Sequence, residues 1–239
     1  ASTLLRVAFA NMLMDRYADA VDVATPQPNP FTRLLGGVRG AVETIVPPVL
    51  FVWVYLALGG GGGRALAWAL GVALSLAAIF TFWRLLEHKH PARAVGAMLL
   101  VVVSAYIASR TGNAADFFWP RVLLNAASGL AFVAANLVRW PLIGVILGPL
   151  FGTRMRWRDD PDLMRAYKRA SWPFAILNFV RALALALLID GNHLWALAAS
   201  GAVFYALTAL TVVASWWLLR HALPADHPGL RHPRPRVSA

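Results

Sequence analysis

The chain has 239 residues, 59% of them hydrophobic, and a mean hydropathy of +0.60. That is too apolar for an ordinary water-soluble domain, and several windows reach the ~18–20 apolar residues that a spanning helix needs. The net charge of +11 lies mostly between and beside the apolar runs, as a membrane topology signal does and a nucleic-acid surface does not, and the absence of cysteine excludes disulfides and thiol chemistry.

Residues 1–16 carry Leu4, Leu5, Phe9, Met12 and Leu13 at roughly helical spacing, which predicts a short amphipathic helix lying on the membrane. The "TPQPNP" stretch that follows, with Pro26, Pro28 and Pro30, is an extended linker, so residues 1–30 form an N-terminal region of their own. The predicted transmembrane domain covers 31–221.

Six spanning helices are predicted, over 38–58, 64–84, 93–109, 119–138, 172–190 and 194–219. The fold class is therefore all-α, a polytopic membrane protein. Between the fourth and fifth spans, "PLIGVILGPLFG" (141–152) is apolar but too short to cross; it either extends the fourth span at an angle or re-enters the membrane. Eighteen of the 22 basic residues fall in the segments on one side of the six spans and three on the other, which places both termini in the cytoplasm of a plasma (inner) membrane protein.

The fifth span is preceded by "DDPDLMRAYKRASWP" (159–173). Asp160 is the expected N-cap and Pro161 the first-turn residue of an interfacial helix, 161–170. One face of that helix holds Arg165, Lys168 and Arg169, suited to anionic lipid headgroups. The tail from 222 onward is rich in proline and arginine and is predicted to be disordered.

Candidate site residues come from polar groups on the spans. In the first span Pro47 and Pro48 leave the carbonyls of Glu43 and Thr44 without their helical partners, next to a carboxylate. On the fourth, Asn125, Ser128, Phe132, Asn136 and Arg139 recur at spacings of three and four, and so share one face. On the fifth, Arg181 stands roughly 13 Å along the helix from Trp172, at the rise expected per residue. Its guanidinium does not lose its proton, and burial at that depth costs at least about 2.5–3.5 kcal/mol. A buried group of Arg181, Asn178 and Glu43, joined by Asn125 or Asn136, is the expectation. In "SRTGNAADFFWPR" (109–121), Asp116 is the expected cap of the fourth span, Phe117, Phe118 and Trp119 an interfacial aromatic anchor, and Arg110, Asp116 and Arg121 an outer ligand-site candidate. The histidines are scattered, so no metal and no cofactor is implied.

The stretches "LLGGVRGAVETIVPPVLF", "SRTGNAADFFWPRVLLNA", "LVRWPLIGVILG" and "MRAYKRASWPFAILNFVRALAL" resemble an actinobacterial integral-membrane family, domain of unknown function 3159, which has no established activity. More distantly, "DFFWPRVLLNA" followed by "RASWPFAILNFV" is similar to the intracellular septation protein A group, whose members are small inner-membrane proteins of envelope maintenance. That likeness implies a non-enzymatic envelope protein working through lipids, a second copy of itself or other membrane proteins. Two alternatives stay open: a small-solute or anion transporter using Arg181, and an intramembrane enzyme on a lipid or isoprenoid with Glu43 as general acid.

Overall fold

The computed structural model describes residues 37–86, 91–224, 226–230 and 232–234, and of 37–44 and 91–94 the backbone alone. The predicted N-terminal helix and linker, and the Glu43 side chain, lie outside the described residues. Residues 1–41 and 42–239 are separate units. Of the first, only the opening turn of a helix is described.

Among the described residues every regular element is helical. In chain order they are α1 (Gly37–Ala57), α2 (Gly63–Leu86), α3 (Pro91–Thr111), α4 (Trp119–Leu137), α5 (Leu142–Leu150), α6 (Pro161–Asp190) and α7 (Leu194–His221). Short 3-10 turns at Ala114–Phe118 and Arg156–Arg158 precede α4 and α6. Four helical segments are long and apolar enough to cross a membrane: α2, α4 with its 3-10 lead-in, α6 and α7. In α1 and α3 the apolar stretches Ile45–Ala57 and Val95–Thr111 are shorter.

In lipid, helices gain little by hiding apolar surface from one another, so close approach through small residues takes over. Helix α2 shows how. Ala65, Ala69, Ala73 and Ala77 recur every fourth residue and are all buried. Ala69 and Ala73 share a core cluster with Ala105 and Ala108 of α3. Likewise α4 meets α6 closely at Gly129, where a Cβ would come within 3.1 Å of the Phe179 ring. Phe132 and Phe174 stack one turn along, with ring centroids 5.5 Å apart.

The connection from α3 to α4 corrects two expectations. Asp116 does not cap the fourth span: α4 has no side-chain cap, and it is Asn113 that accepts the Ala115 N–H, capping the 3-10 turn. Phe117 and Phe118 are not interfacial anchors but buried core, Phe117 stacking on Phe51 of α1 at 4.3 Å. The turn after α3 brings them inward because Gly112, at φ +72°, ends α3 in the left-handed conformation that glycine adopts without strain.

The predicted interfacial helix and fifth span are one continuous α6 of 30 residues. Pro173 lacks the N–H that would bond the Arg169 carbonyl, yet the helix continues through it. Just before the proline, the Ser171 hydroxyl donates to the Tyr167 carbonyl at 2.9 Å and accepts the Ile143 N–H at 3.4 Å, tying α5 to α6. The N-cap is as expected: Asp160 accepts the N–H groups of Asp162 and Leu163, with Pro161 opening the helix.

The segment 141–152 forms a separate nine-residue helix, α5, packed along the first turns of α6. Gly144 and Gly148, four apart, leave a groove that the Trp157 indole fills. Trp157, Leu163 and Tyr167, all 0% exposed, are the centre of a second core.

Although disorder is expected from residue 222 on, His221 still ends α7, and the tail residues beyond contact Asp160. His227 Nε2 lies 2.9 Å from Asp160 Oδ2, and the Arg234 backbone N–H donates to the same oxygen at 2.8 Å.

Candidate functional site

Two groups of charged residues stand out, at different heights of the α4–α6–α7 assembly. The first is a cleft of about 680 Å³ where α4 ends and α6 begins. Its wall carries Arg139, Arg158, Arg165 and Lys168, opposed by the single carboxylate of Asp159. Met155, Pro161 and Met164 supply apolar lining beside the charges.

Local structure places each cation. Arg139 adopts φ +60° just past α4, an uncommon conformation for a residue with a Cβ, and this turns the chain toward α5. Arg158 lies over the Trp140 ring, 4.2 Å from its centroid, and its Nε is buried without a partner. Arg165 and Lys168 are three apart on α6 and so share a face. Asp162 draws on Arg165 at 3.4 Å, an exposed ion pair of little energetic weight. Asn136 holds α4 against this region by donating to the Lys168 carbonyl at 3.2 Å. Of the residues predicted for headgroups, Arg165 and Lys168 line the cleft and Arg169 does not; Arg139 and Arg158 join them from other elements.

The second group lies inside the bundle. Arg181 of α6 reaches across to α7, where Nη2 donates to the Phe204 carbonyl and the Thr208 hydroxyl. Its Cζ sits 5.0 Å from the centre of the Phe204 ring. Arg121, at the start of α4, reaches the same face of α7. Gly201 completes the α7 face: a Cβ there would lie 3.7 Å from Arg121 Nη2 and 3.3 Å from Ile45 Cγ1. Gly201, Phe204, Tyr205 and Thr208 are spaced i, i+3, i+4, i+7, one stripe of a helix.

Of the predicted grouping around Arg181, Glu43 has its side chain outside the described residues, and the described members make these bonds. Asn178 donates to the Phe174 carbonyl in its own helix, and Asn125 to the Arg121 carbonyl in its own. Asn136 belongs to the region of the cleft. Arg110 is exposed and Asp116 half-buried, and no hydrogen bond or ion pair among the described residues links either to Arg121. What pattern reading misses is the α7 stripe. It holds no charge, and a threonine and a phenylalanine on a spanning helix look like ordinary packing.

No curated protein and no solved structure matches the chain. A family model described as "Protein of unknown function (DUF3159)" matches residues 35–226, a span that takes in α1 to α7, the cleft, Arg121 and Arg181, and the chain belongs to that family.

Proposed function

We propose that this chain is a six-span protein of the plasma membrane, both termini cytoplasmic, that binds anionic glycerophospholipid headgroups in its basic cleft and carries out no catalysis there. The observation that carries the reading is the cleft itself: four cations and one carboxylate around about 680 Å³, with methionines beside them. A lipid phosphate offers acceptors to the guanidinium forks, and its glycerol and upper acyl chain fit the apolar wall.

The architecture supports that placement. Helices α1 and α3 have 21 residues each, about 32 Å at the helical rise, enough for a hydrocarbon core of about 30 Å. At about 45 Å, α6 exceeds that core by several turns. Its first turns, with Arg165 and Lys168, then stand at headgroup height on the side where basic residues concentrate.

The test is a phospholipid titration of the full chain in detergent, followed by thermal unfolding or native mass spectrometry. Phosphatidylglycerol is expected to stabilise the protein more than phosphatidylcholine does. Removing three cations, in Arg139→Gln/Arg165→Gln/Lys168→Gln, removes about 1 kcal/mol each and so weakens binding about 100-fold. Arg169→Gln, outside the cleft, leaves it nearly unchanged. Equal responses to the two lipids, or an equal loss in Arg169→Gln, would sink the reading.

A further inference from the structure

We propose that Arg121 and Arg181 hold an oxyanion between them, against the Gly201–Phe204–Tyr205–Thr208 stripe of α7. The site is distinct from the lipid cleft and does not depend on it. Each guanidinium is a planar fork of five N–H donors that stays charged. Both reach the same stripe of α7, Arg181 Nη2 at Thr208 and Arg121 Nη2 at 3.7 Å from a Cβ built on Gly201, and two cations drawn to one helix face are held best by a negative charge between them. Among the described residues neither arginine forms an ion pair with a carboxylate.

The donors are also incompletely used. Arg181 is anchored through Nη2, while its Nε is sealed from solvent with no acceptor. Arg121 Nη1 is sealed and unpartnered in the same way. Water would satisfy these donors but would add no negative charge between the two cations, whereas an oxyanion does both. A guanidinium fork matches two oxygens on one centre, which favours phosphate or carboxylate over a halide. Thr208 already gives its own proton to the Phe204 carbonyl at 2.6 Å, so its hydroxyl serves as the acceptor that orients Arg181. Gly201 keeps the α7 surface low beside Arg121.

A phosphate group reaches such a site as the free ion or as a lipid headgroup, and one experiment separates them. The full chain in dodecyl maltoside is unfolded thermally, read by tryptophan fluorescence, while inorganic phosphate is titrated against sodium chloride of equal ionic strength. A parallel titration uses phosphatidylglycerol. Phosphate is expected to raise the midpoint saturably, and Arg121→Lys or Arg181→Lys to weaken the response at least tenfold. Thr208→Val, which keeps both charges, is expected to weaken it three- to tenfold, and it serves if the lysine variants do not fold. If phosphate is inert but phosphatidylglycerol stabilises through these three residues, the site stands and the oxyanion is the headgroup. The proposal is overturned if neither probe exceeds the salt control, or if the response survives all three substitutions.

Discussion

Replacing Gly148 by alanine is expected to destabilise the protein by roughly 3–5 kcal/mol, at or above the upper end of ordinary overpacking. A Cβ at this position would sit 2.2 Å from the Arg154 carbonyl oxygen and 2.8 Å from Trp157 Nε1. The first of these is backbone, so no change of rotamer relieves it. The backbone is there because the chain reverses tightly after α5: the Thr153 and Arg154 N–H groups both bond the Gly148 carbonyl, at 2.9 and 3.0 Å, and the Thr153 hydroxyl adds a third bond at 3.1 Å. Gly152 at φ +74° and Arg154 at φ +49° make that reversal possible. It returns Trp157 onto Gly144 and Gly148, and the indole in turn meets Tyr167 of α6 edge to face at 5.4 Å. Alanine at 148 therefore pushes apart the turn, the indole and the start of α6 together. Gly71→Ala is the control, since nothing lies within 4 Å of a Cβ there, and a mid-helix alanine gains about 0.8–1 kcal/mol over glycine. Thermal unfolding of the two variants in one detergent should give shifts of opposite sign. A Gly148→Ala variant as stable as the parent would mean that the reversal of 148–154 is not as described.

That turn also shows where the sequence stops being readable. Apolar run length is imposed by the bilayer, so the positions of α1 to α4 and α7, and the end of α6, were legible to within a few residues. Chemistry at helix starts is local, so Asp160 and Pro161 announced the beginning of α6. Its continuity was less visible, because a tryptophan–proline pair at 172–173 reads as a boundary. The helix crosses it because tertiary packing along α5 and α7 outweighs one missing hydrogen bond. The loop between α4 and α6 is rich in arginine and reads as solvated, yet Trp157 within it is fully buried. Nothing local marks that, since the groove it fills is made of two glycines four residues apart. The same limit applies to the sites. Arg165 and Lys168 show themselves as a helix face, but their meeting with Arg139 and Arg158 depends on how the loop folds. Arg181 was conspicuous by its charge, whereas its partners Phe204 and Thr208 carry no sequence signal, and Arg121 looked like a loop residue because the 3-10 lead-in that turns it inward is set by Phe117 and Phe118.

Asp160→Ala is expected to cost roughly 2–4 kcal/mol, combining the usual loss of an N-cap with buried donors left without an acceptor. Asp160 is 1% exposed and accepts four hydrogen bonds, two from the first turn of α6 and two from the C-terminal segment, where His227 is wholly buried against it. One carboxylate thus closes the helix and fastens the tail. Arg234 further bonds Asp226 through its side chain at 3.0 Å, so residues 226–230 and 232–234 are held at one end of α6. In Asp160→Ala the tail should come free, and trypsin should cut after Arg231, which His232 follows, faster than in the parent. Asp160→Asn keeps the cap oxygen and loses the charge, so it should fall between the two. The pH dependence follows from the same contacts. Burial alone would push the Asp160 carboxyl up, but the hydrogen bonds from Arg234, His227, Leu163 and Asp162 outweigh it and hold the group below the ordinary aspartate value. A carboxyl depressed in the folded state adds stability above its unfolded pKa of about 3.9 and loses it as pH falls through the lower folded value. The stabilising part is therefore complete at neutral pH and disappears only in acid, below about pH 4. Unfolding midpoints measured from pH 7 to pH 3 should converge for the parent and Asp160→Asn at the acid end. Curves that stay parallel over that range would show that the charge on Asp160 does not hold the tail.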